Sequence, residues 1–303
     1  MLIALFPLLI LGILLLTGYY FAIRILRPHT RTHQETYQIE KENGYVSGDL
    51  WETLAREEIR IQSPYGYQLF GYYIPYPESQ KTVIIAHGIA YNLDGSIKFL
   101  QQFRRRGFNV LIYDHRNHGS SGGRNTTFGY YEKYDLKAVV DYAMQKQGGA
   151  GVIGIHGESM GAAIALQYGA IDDRCAFIIT DCTFSDLREL LEYRLNYDYH
   201  LPRAIFLPLA DFFCRILAGM PLSAVSPLRD VGHLQTPVLF IHGREDRYVP
   251  AKMSQTLYEA KTNGVRQLYL VDGARHAEAY VHNPKEYEDQ VARFLTRIGD
   301  QTD

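Results

Sequence analysis

The chain has 303 residues, of which 47% are hydrophobic and 21% charged, and its formal net charge at pH 7 is −2. This composition supplies material for a large core, and the near-neutral charge gives no electrostatic footprint for a nucleic-acid partner. Cys175, Cys182 and Cys214 lack metal-ligand spacing, so we expect reduced, buried thiols rather than a metal site or a disulfide framework.

The first 23 residues carry no charged side chain, and residues 2–16 are almost wholly aliphatic. As a helix they would span about 35 Å, which is enough to cross the hydrocarbon layer of a membrane. We therefore predict a transmembrane anchor at 1–23. A cleaved signal peptide is the alternative, but it would have a basic start and a small-x-small cleavage site.

Basic residues lie on one side of this anchor only. Arg24, Arg27 and Arg31 follow it and no basic side chain precedes it. The positive-inside bias then puts the N-terminus outside and the rest of the chain in the cytoplasm, at the cell membrane. The aromatic run 19–21 would lie at the membrane interface.

Residues 24–55 are polar and charged, and they predict a juxtamembrane linker with a short helix. The remainder, 56–300, is expected to form one domain. Residues 57–62 alternate in polarity like a strand, the turn 63–66 contains Pro64 and Gly66, and 67–75 run back as a second strand, which predicts an entry hairpin.

Apolar strands then alternate with helices, which predicts an α/β fold with a mostly parallel sheet covered by helices on both faces. Strands are predicted at 82–86, 109–113, 151–156, 176–180, 237–241 and 267–271, and helices near 93–106, 130–146, 251–262 and 284–298. The alternation pauses at about 183–232, a stretch rich in Leu and Phe. A helical lid inserted into the sheet and ordinary helix packing are equal alternatives for this stretch.

Gly157-Glu158-Ser159-Met160-Gly161 has the Gly-x-Ser-x-Gly pattern of a nucleophile elbow, between the strand at 151–156 and an apolar helix. Such a turn exposes the serine hydroxyl above the sheet. Gly157 and Gly161 are needed because a β-carbon at either position would crowd the turn. The pattern alone is weakly specific, and its strand-to-helix context carries the prediction.

A nucleophilic serine needs a base within hydrogen-bond reach and an acid that orients the base. His276 is the candidate base, because it follows the last predicted strand in a Gly-containing loop. Asp246 is the candidate acid, because it follows the strand at 237–241, at the edge where catalytic groups gather. Glu245 and Asp181 are alternative acids, although a turn or cap role is favoured for Asp181. Among the other histidines, solvent contact is expected for His29, His33 and His200, and packing for His87, His156 and His242.

Backbone N–H groups near Ile89 and at Met160 are the candidate oxyanion donors. Backbone donors are compatible with an apolar side chain at position 89. The polar, Gly-rich loop 114–123 lies on the same predicted edge of the sheet. We favour a supporting turn network there over a direct catalytic part for His115 or His118.

With these motifs the chain resembles the α/β-hydrolase fold serine hydrolases, most closely the membrane-anchored bacterial hydrolases of esterase, lipase or aminopeptidase type. The resemblance covers about 57–298 and rests on His87-Gly88, the loop from Asp114 to Gly123, the elbow, Asp246-x-x-Val249-Pro250 and His276. It favours Asp246 over Glu245 as the acid. It implies that Ser159 attacks, that His276 transfers protons and that Asp246 orients His276, with no metal or organic cofactor.

The sequence departs from the family pattern at two positions. Asn117 stands where relatives usually have glycine. Arg275 directly precedes His276 where a small residue is common, so that its positive charge could act on the base. Neither departure removes a catalytic atom.

The leading hypothesis is hydrolysis of a carboxylic ester or thioester of an apolar, lipid-like acyl substrate, because a complete triad accompanies an aromatic, Leu-rich stretch and a membrane anchor. A peptidase or amidase, or an acyltransferase, would use the same triad. A non-catalytic, membrane-tethered binding module is a further alternative, although such relatives usually lack a triad member. Dehalogenases and epoxide hydrolases commonly have Asp at the position of Ser159.

Overall fold

A computed structural model of the chain describes residues 2–46, 48–149 and 151–299. Met1 of the predicted anchor and residue 300 of the predicted domain lie outside these ranges. The described strands are, in chain order, β1 (Glu57–Gln62), β2 (Gln68–Ile74), β3 (Lys81–Ala86), β4 (Asn109–Tyr113), β5 (Val152–Glu158), β6 (Phe177–Asp181), β7 (Val238–Gly243) and β8 (Arg266–Val271).

These strands form one sheet in the order β1-β2-β4-β3-β5-β6-β7-β8. The pairs β1–β2 and β2–β4 are antiparallel, and all pairs from β4 to β8 are parallel. The predicted entry hairpin and the mostly parallel sheet are therefore confirmed. Strands β4, β6 and β7 are buried along their whole length, as expected for strands covered on both faces.

Helices cover both faces of the sheet. The described helices are α1 (Leu2–Leu26), α2 (His33–Glu42), α3 (Gly48–Thr53), α4 (Leu100–Arg104), α5 (Glu132–Lys146), α6 (Met160–Gly169), α7 (Leu187–Tyr199), α8 (Arg203–Ala218), α9 (Pro227–Val231), α10 (Lys252–Ala260), α11 (Ala279–His282) and α12 (Pro284–Gly299). Two 3-10 helices, Leu93–Phe99 and Leu222–Ala224, complete the set of described helices.

Alternate residues of each strand enter two separate cores. Ile84 and Ile155 pack with α5, α6, α8 and the end of α1, whereas Ile85 and Ile179 pack with α4 and α12 on the opposite face. This division follows from the two-residue period of a strand, which sends successive side chains to opposite faces.

The helix predicted near 93–106 begins differently from the expectation. Its first part is the 3-10 helix Leu93–Phe99, and only α4 is α-helical. The Asn92 side chain caps the Asp94 N–H, and the Asp114 carboxylate accepts the Leu93 N–H at 2.8 Å. These two hydrogen bonds satisfy the backbone N–H groups at the start of a fully buried segment. The helical periodicity of the sequence does not indicate such bonds.

Between β6 and β7, the stretch predicted as lid or packing helices contains α7, α8 and α9. The segment 24–55, for which a linker is predicted, contains α2 and α3. Its Thr36, Glu40 and Trp51 side chains are buried against the domain.

Helix α1 has the length and composition of a membrane span or of a signal sequence. Residues 6–17 of this helix are exposed or half-buried: Phe6, for example, is 65% exposed. In its second half Gly18, Ala22 and Ile25 are buried at helical spacing. Gly18 allows close contact with α8, because a β-carbon there would lie 2.5 Å from Leu209 Cβ.

Candidate active site

Ser159 lies at the sharp turn between β5 and α6. Its φ of 52° and ψ of −112° are sparsely populated by residues that carry a β-carbon. A β-carbon on Gly157 would lie 2.5 Å from the backbone of α6, and one on Gly161 would collide with the carbonyl at the end of β3. The Ser159 N–H also donates to the Asp181 carbonyl oxygen at 2.7 Å. The glycines and this bond hold the serine at the strand end.

Three of the predicted side chains meet at this turn. Ser159 Oγ lies 3.0 Å from His276 Nε2, and His276 Nδ1 lies 2.6 Å from Asp246 Oδ2. The Ser159 and Asp246 residues are buried, whereas 23% of the His276 side chain is exposed. The hydroxyl, imidazole and carboxylate form one hydrogen-bonded chain in the order that general-base activation of a serine requires.

Asp246 is fixed by donors on both carboxylate oxygens. Its Oδ1 accepts the backbone N–H groups of Tyr248 and Val249 at 2.8 Å each, and its Oδ2 also lies 3.0 Å from His242 Nε2. Burial opposes ionisation, but the hydrogen bonds from His242 and His276 outweigh it and lower the pKa of the Asp246 carboxyl. The group is therefore a carboxylate at neutral pH and can hold a His276 Nδ1–H.

The alternative acids lie elsewhere. Glu245 is exposed. Asp181 is buried at the end of β6, where burial and the nearby Glu158 charge raise the pKa of its carboxyl to about 8. A carboxyl that is mostly protonated at neutral pH is poorly suited to stabilise an imidazolium. The carboxylate that accepts the hydrogen bond of His276 Nδ1–H belongs to Asp246 and to neither of them.

The contact between His242 and Asp246 was not predicted. The sequence predicts a packing role for His242, and the residue is indeed buried, with Nδ1 2.7 Å from Ser254 Oγ. Its Nε2 also reaches the acid, so it helps to position that carboxylate. The sequence feature that could have indicated this contact is the position of His242 at the end of β7, four residues before Asp246.

The residues that carry the predicted oxyanion donors, Ile89 and Met160, lie near the serine. A β-carbon on Gly88 would lie 3.5 Å from Ser159 Cβ, so the loop that carries Ile89 lies close to the Ser159 side chain. Met160 is the first residue of α6, where backbone N–H groups have no partner within the helix. Ile89 also lines the cavity that contains Ser159 and His276.

The polar loop after β4 forms a buried network. His115 donates its N–H to His87 Nε2 at 3.0 Å, and the His118 ring bonds the Arg116 carbonyl. Burial lowers the pKa of His115 to about 3 and also lowers the pKa of His118. Neutral, internally bonded imidazoles agree with the supporting role that the sequence favours.

The two departures from the family pattern have local explanations. Asn117 has a φ of 60°, the left-handed region that glycine adopts most easily and that asparagine tolerates better than other residues. Arg275 turns outward: 75% of its side chain is exposed, and its guanidinium pairs with Glu278 at 3.0 Å.

The prediction that His33 simply meets solvent is only partly confirmed, because 34% of its side chain is exposed but its ring is held by two carboxylates. His33 begins α2, and its ring lies 2.6 Å from Asp94 Oδ2 and 3.1 Å from Asp114 Oδ2. Hydrogen bonds to Asp114 and Asp94 raise the pKa of His33 to about 10. The residue therefore ties the segment after α1 to the loops beside the site.

A buried ion pair, which no sequence motif indicated, lies behind the elbow. Lys98 Nζ is 2.7 Å from Glu158 Oε1, and both side chains are less than 8% exposed. Glu40 of α2 is buried close by, and burial raises the pKa of its carboxyl to about 7. The three side chains line the same cavity as Ser159, which has a volume of about 350 Å³.

One group of potential metal ligands overlaps the site. Ligand atoms of Cys182, Asp246 and His276 lie within 4.8 Å of one another. Asp246 and His276 already bond each other, and burial raises the pKa of the Cys182 thiol well above its ordinary value. A protonated thiol is a poor ligand, so this group does not fit a metal centre.

The comparisons with known proteins agree with the fold. The α/β hydrolase fold family matches residues 81–230. The uncharacterized Bacillus subtilis protein YqkD is 40% identical over 288 residues, which are 94% of each chain. The chain belongs to the α/β hydrolase fold family.

Other relatives are more distant. The uncharacterized Salmonella typhimurium protein YfhR is 27% identical over 259 residues, covering 79% of this chain and 81% of its own. A solved structure of the Pyrococcus furiosus esterase Pf2001 is 26% identical with a TM-score of 0.67, covering 85% of this chain and 95% of that chain. The fold and these neighbours support a hydrolase that acts on a small molecule.

Proposed function

We propose that the chain is a serine hydrolase that cleaves a carboxylic ester or thioester of an apolar acyl substrate through an acyl-enzyme on Ser159. The observation that carries the proposal is the hydrogen-bonded chain from Ser159 Oγ through His276 to Asp246. The esterase neighbour in the structural comparison supports the same chemistry.

In the first half-reaction Ser159 Oγ attacks the carbonyl carbon while its proton passes to His276 Nε2. The charge that develops on the carbonyl oxygen is stabilised by the backbone N–H groups of Ile89 and Met160. The bond to the leaving alcohol or thiol then breaks, and the leaving group takes the proton from His276. Asp246 holds the imidazole in position and stabilises its charged form.

In the second half-reaction water attacks the acyl-enzyme. Its proton passes to His276 Nε2, the acid leaves, and the proton returns to Ser159 Oγ. The scheme uses only side chains and backbone donors of this chain.

Hydrolysis of short and medium p-nitrophenyl esters by the purified full-length protein tests the proposal. We expect turnover that falls by about 10⁴-fold or more in Ser159→Ala, because removal of the nucleophile leaves only binding and oxyanion stabilisation. Ser223→Ala is the matched control, since Ser223 is an exposed serine on a 3-10 helix. Failure of the unmodified protein to hydrolyse any of these esters would refute the proposal.

We further propose that α1 is retained as a membrane anchor and holds the domain at the cytoplasmic side of the cell membrane. The supporting observations are the exposed apolar side chains of α1 between Phe6 and Leu16 and the arginines that follow residue 23.

A further inference from the structure

A second cavity lies beside the one that contains Ser159. It has a volume of about 510 Å³, and we call it the apolar chamber. Its walls come from three helices: Phe21 and Ile25 of α1, Leu191 and Leu195 of α7, and Leu207 and Ala210 of α8. Its volume lies within the range of small-molecule sites in proteins, about 300–1,000 Å³.

The apolar chamber adjoins the candidate active site. Ile89, Ala90 and Tyr248 line both cavities. Ile89 carries a proposed oxyanion donor, and the Tyr248 ring centre is 4.9 Å from the centre of the His276 ring. An acyl group on Ser159, with its carbonyl oxygen at the Ile89 N–H, would start its chain at this boundary.

The polar and charged residues on the chamber wall are Arg24, His29, Arg194 and Asp198. Arg24 and His29 are exposed to solvent. Arg194 is compensated by the Asp198 carboxylate on the next turn of α7 and lies over the Tyr248 ring, 4.4 Å from its centre. The remaining wall described above is aliphatic and aromatic, which suits a hydrocarbon chain.

The α1 wall depends on close packing against α8. Gly18 and Ala22 form a small-xxx-small pair, and Gly18 leaves no room for a side chain beside Leu209. One turn further along α1, the Phe21 ring packs edge-on against Tyr199, with ring centres 5.1 Å apart. Displacing α1 at Gly18 would therefore open the chamber.

The outer face of α8 is apolar as well. Ile205, Phe212 and Ile216 are about half or more exposed at helical spacing. This face is continuous with α1, since the Tyr19 ring contacts Phe213 with centres 5.6 Å apart. The chamber thus lies under the two helices that have apolar outer surfaces, which is where a membrane lipid would approach.

We propose that the apolar chamber binds the acyl chain of a long-chain acyl ester and that α1 is a structural wall of this site as well as an anchor. The inference rests on the proposed attack by Ser159, because the chamber is placed relative to that acyl position. It narrows the substrate class from apolar acyl esters in general to esters of long-chain fatty acids taken from the lipid side.

The test compares p-nitrophenyl palmitate with p-nitrophenyl butyrate, using full-length protein in the same detergent micelles. Gly18→Leu should displace α1 from α8, and Ala210→Phe should fill the chamber. We expect either variant to lower the palmitate-to-butyrate ratio of kcat/KM by about tenfold or more. Each methylene group that is no longer buried in the apolar chamber lowers the affinity for the chain by a factor of about four. Gly12→Leu is the matched control, because nothing lies within 4 Å of a β-carbon at Gly12, and it should leave the ratio unchanged.

Binding of a fluorescent long-chain fatty acid to the same variants, each combined with Ser159→Ala, gives a readout that does not need catalysis. We expect binding to weaken about tenfold with Gly18→Leu or Ala210→Phe and to persist with Gly12→Leu. Thermal unfolding shows whether Gly18→Leu and Ala210→Phe fold. If one of them does not fold, the result for the other one tests the chamber inference.

The outcomes separate the two proposals. If butyrate is hydrolysed through Ser159 but neither chamber variant changes the ratio or the fatty-acid binding, the chamber inference is overturned while the proposed function stands. If the fatty acid binds with the expected dependence on Gly18 but no ester is cleaved, the proposed function is overturned while the binding site stands.

Discussion

At the scale of single residues, the proposed chemistry depends on the neighbours of Ser159 more than on the serine itself. A free serine hydroxyl is a weak nucleophile, and here it is bonded to His276 at 3.0 Å. The imidazole is in turn hydrogen-bonded to the buried Asp246 carboxylate, which three further donors hold in place. The backbone N–H groups of Tyr248 and Val249 and the His242 ring all contact Asp246. We infer that these hydrogen bonds hold the Asp246 carboxylate in one orientation.

Asp246→Asn tests the orienting role of the acid. An amide cannot accept the Nδ1–H as a carboxylate does, so it favours the wrong imidazole tautomer, and we expect kcat for p-nitrophenyl butyrate to fall about 10³–10⁴-fold. Glu245→Gln, one residue away on an exposed side chain, should change kcat less than twofold. Circular dichroism would check that both variants fold. A fall of less than tenfold in Asp246→Asn would argue that the carboxylate is not the orienting group.

At the scale of helices and strands, the elements that were predicted correctly are those with a recognisable pattern in their own short stretch of sequence. Strands β3 to β8 each contain a run of apolar residues, and the elbow has two glycines at fixed offsets from Ser159. Buried polar contacts have no such pattern. The Lys98–Glu158 pair and the contacts of His33 with two aspartates are not indicated by the sequence, because the partners lie far apart in the chain.

The ion pairs of His33 give a prediction about the docking of α2. His33 holds its proton more tightly in the folded chain, with a pKa raised from 6.5 to about 10. Its contribution to stability is therefore full below about pH 6.5 and is lost as the pH rises through about 10. We expect the difference in Tm between the unmodified protein and His33→Asn to shrink over this range.

Thermal unfolding in detergent at several pH values measures this difference. His29→Asn is the control, because His29 is an exposed histidine four residues earlier. It should give a small Tm difference that does not vary with pH. A Tm difference for His33→Asn that stays constant from pH 6.5 to 10 would contradict the assigned ion pairs.

At the scale of the whole molecule, the apolar surface is concentrated on α1 and α8. The net charge of −2 gives no strong overall field, so we expect apolar contact rather than charge to hold the domain at a membrane. The contact between Gly18 and Leu209 joins the predicted anchor directly to the helical insertion, so the anchor and the candidate site form one packed unit. Sequence periodicity shows that both helices are apolar but not that they touch.

Protease protection tests the proposed orientation. We expect the domain after residue 23 to be digested in inverted vesicles and protected in right-side-out vesicles, because Arg24, Arg27 and Arg31 favour the cytoplasmic side. Digestion after detergent treatment serves as the control for cleavable sites. Digestion of the domain in intact right-side-out vesicles would contradict the orientation.

The most direct test of the central claim is the rate at which a fluorophosphonate probe labels the intact protein, followed by peptide mass spectrometry. The account predicts a single adduct on Ser159, absent in Ser159→Ala and formed at least about 10³-fold more slowly in His276→Gln, since the imidazole is the base that activates the hydroxyl. Either the lack of an adduct on Ser159 or an unchanged labelling rate in His276→Gln would contradict it.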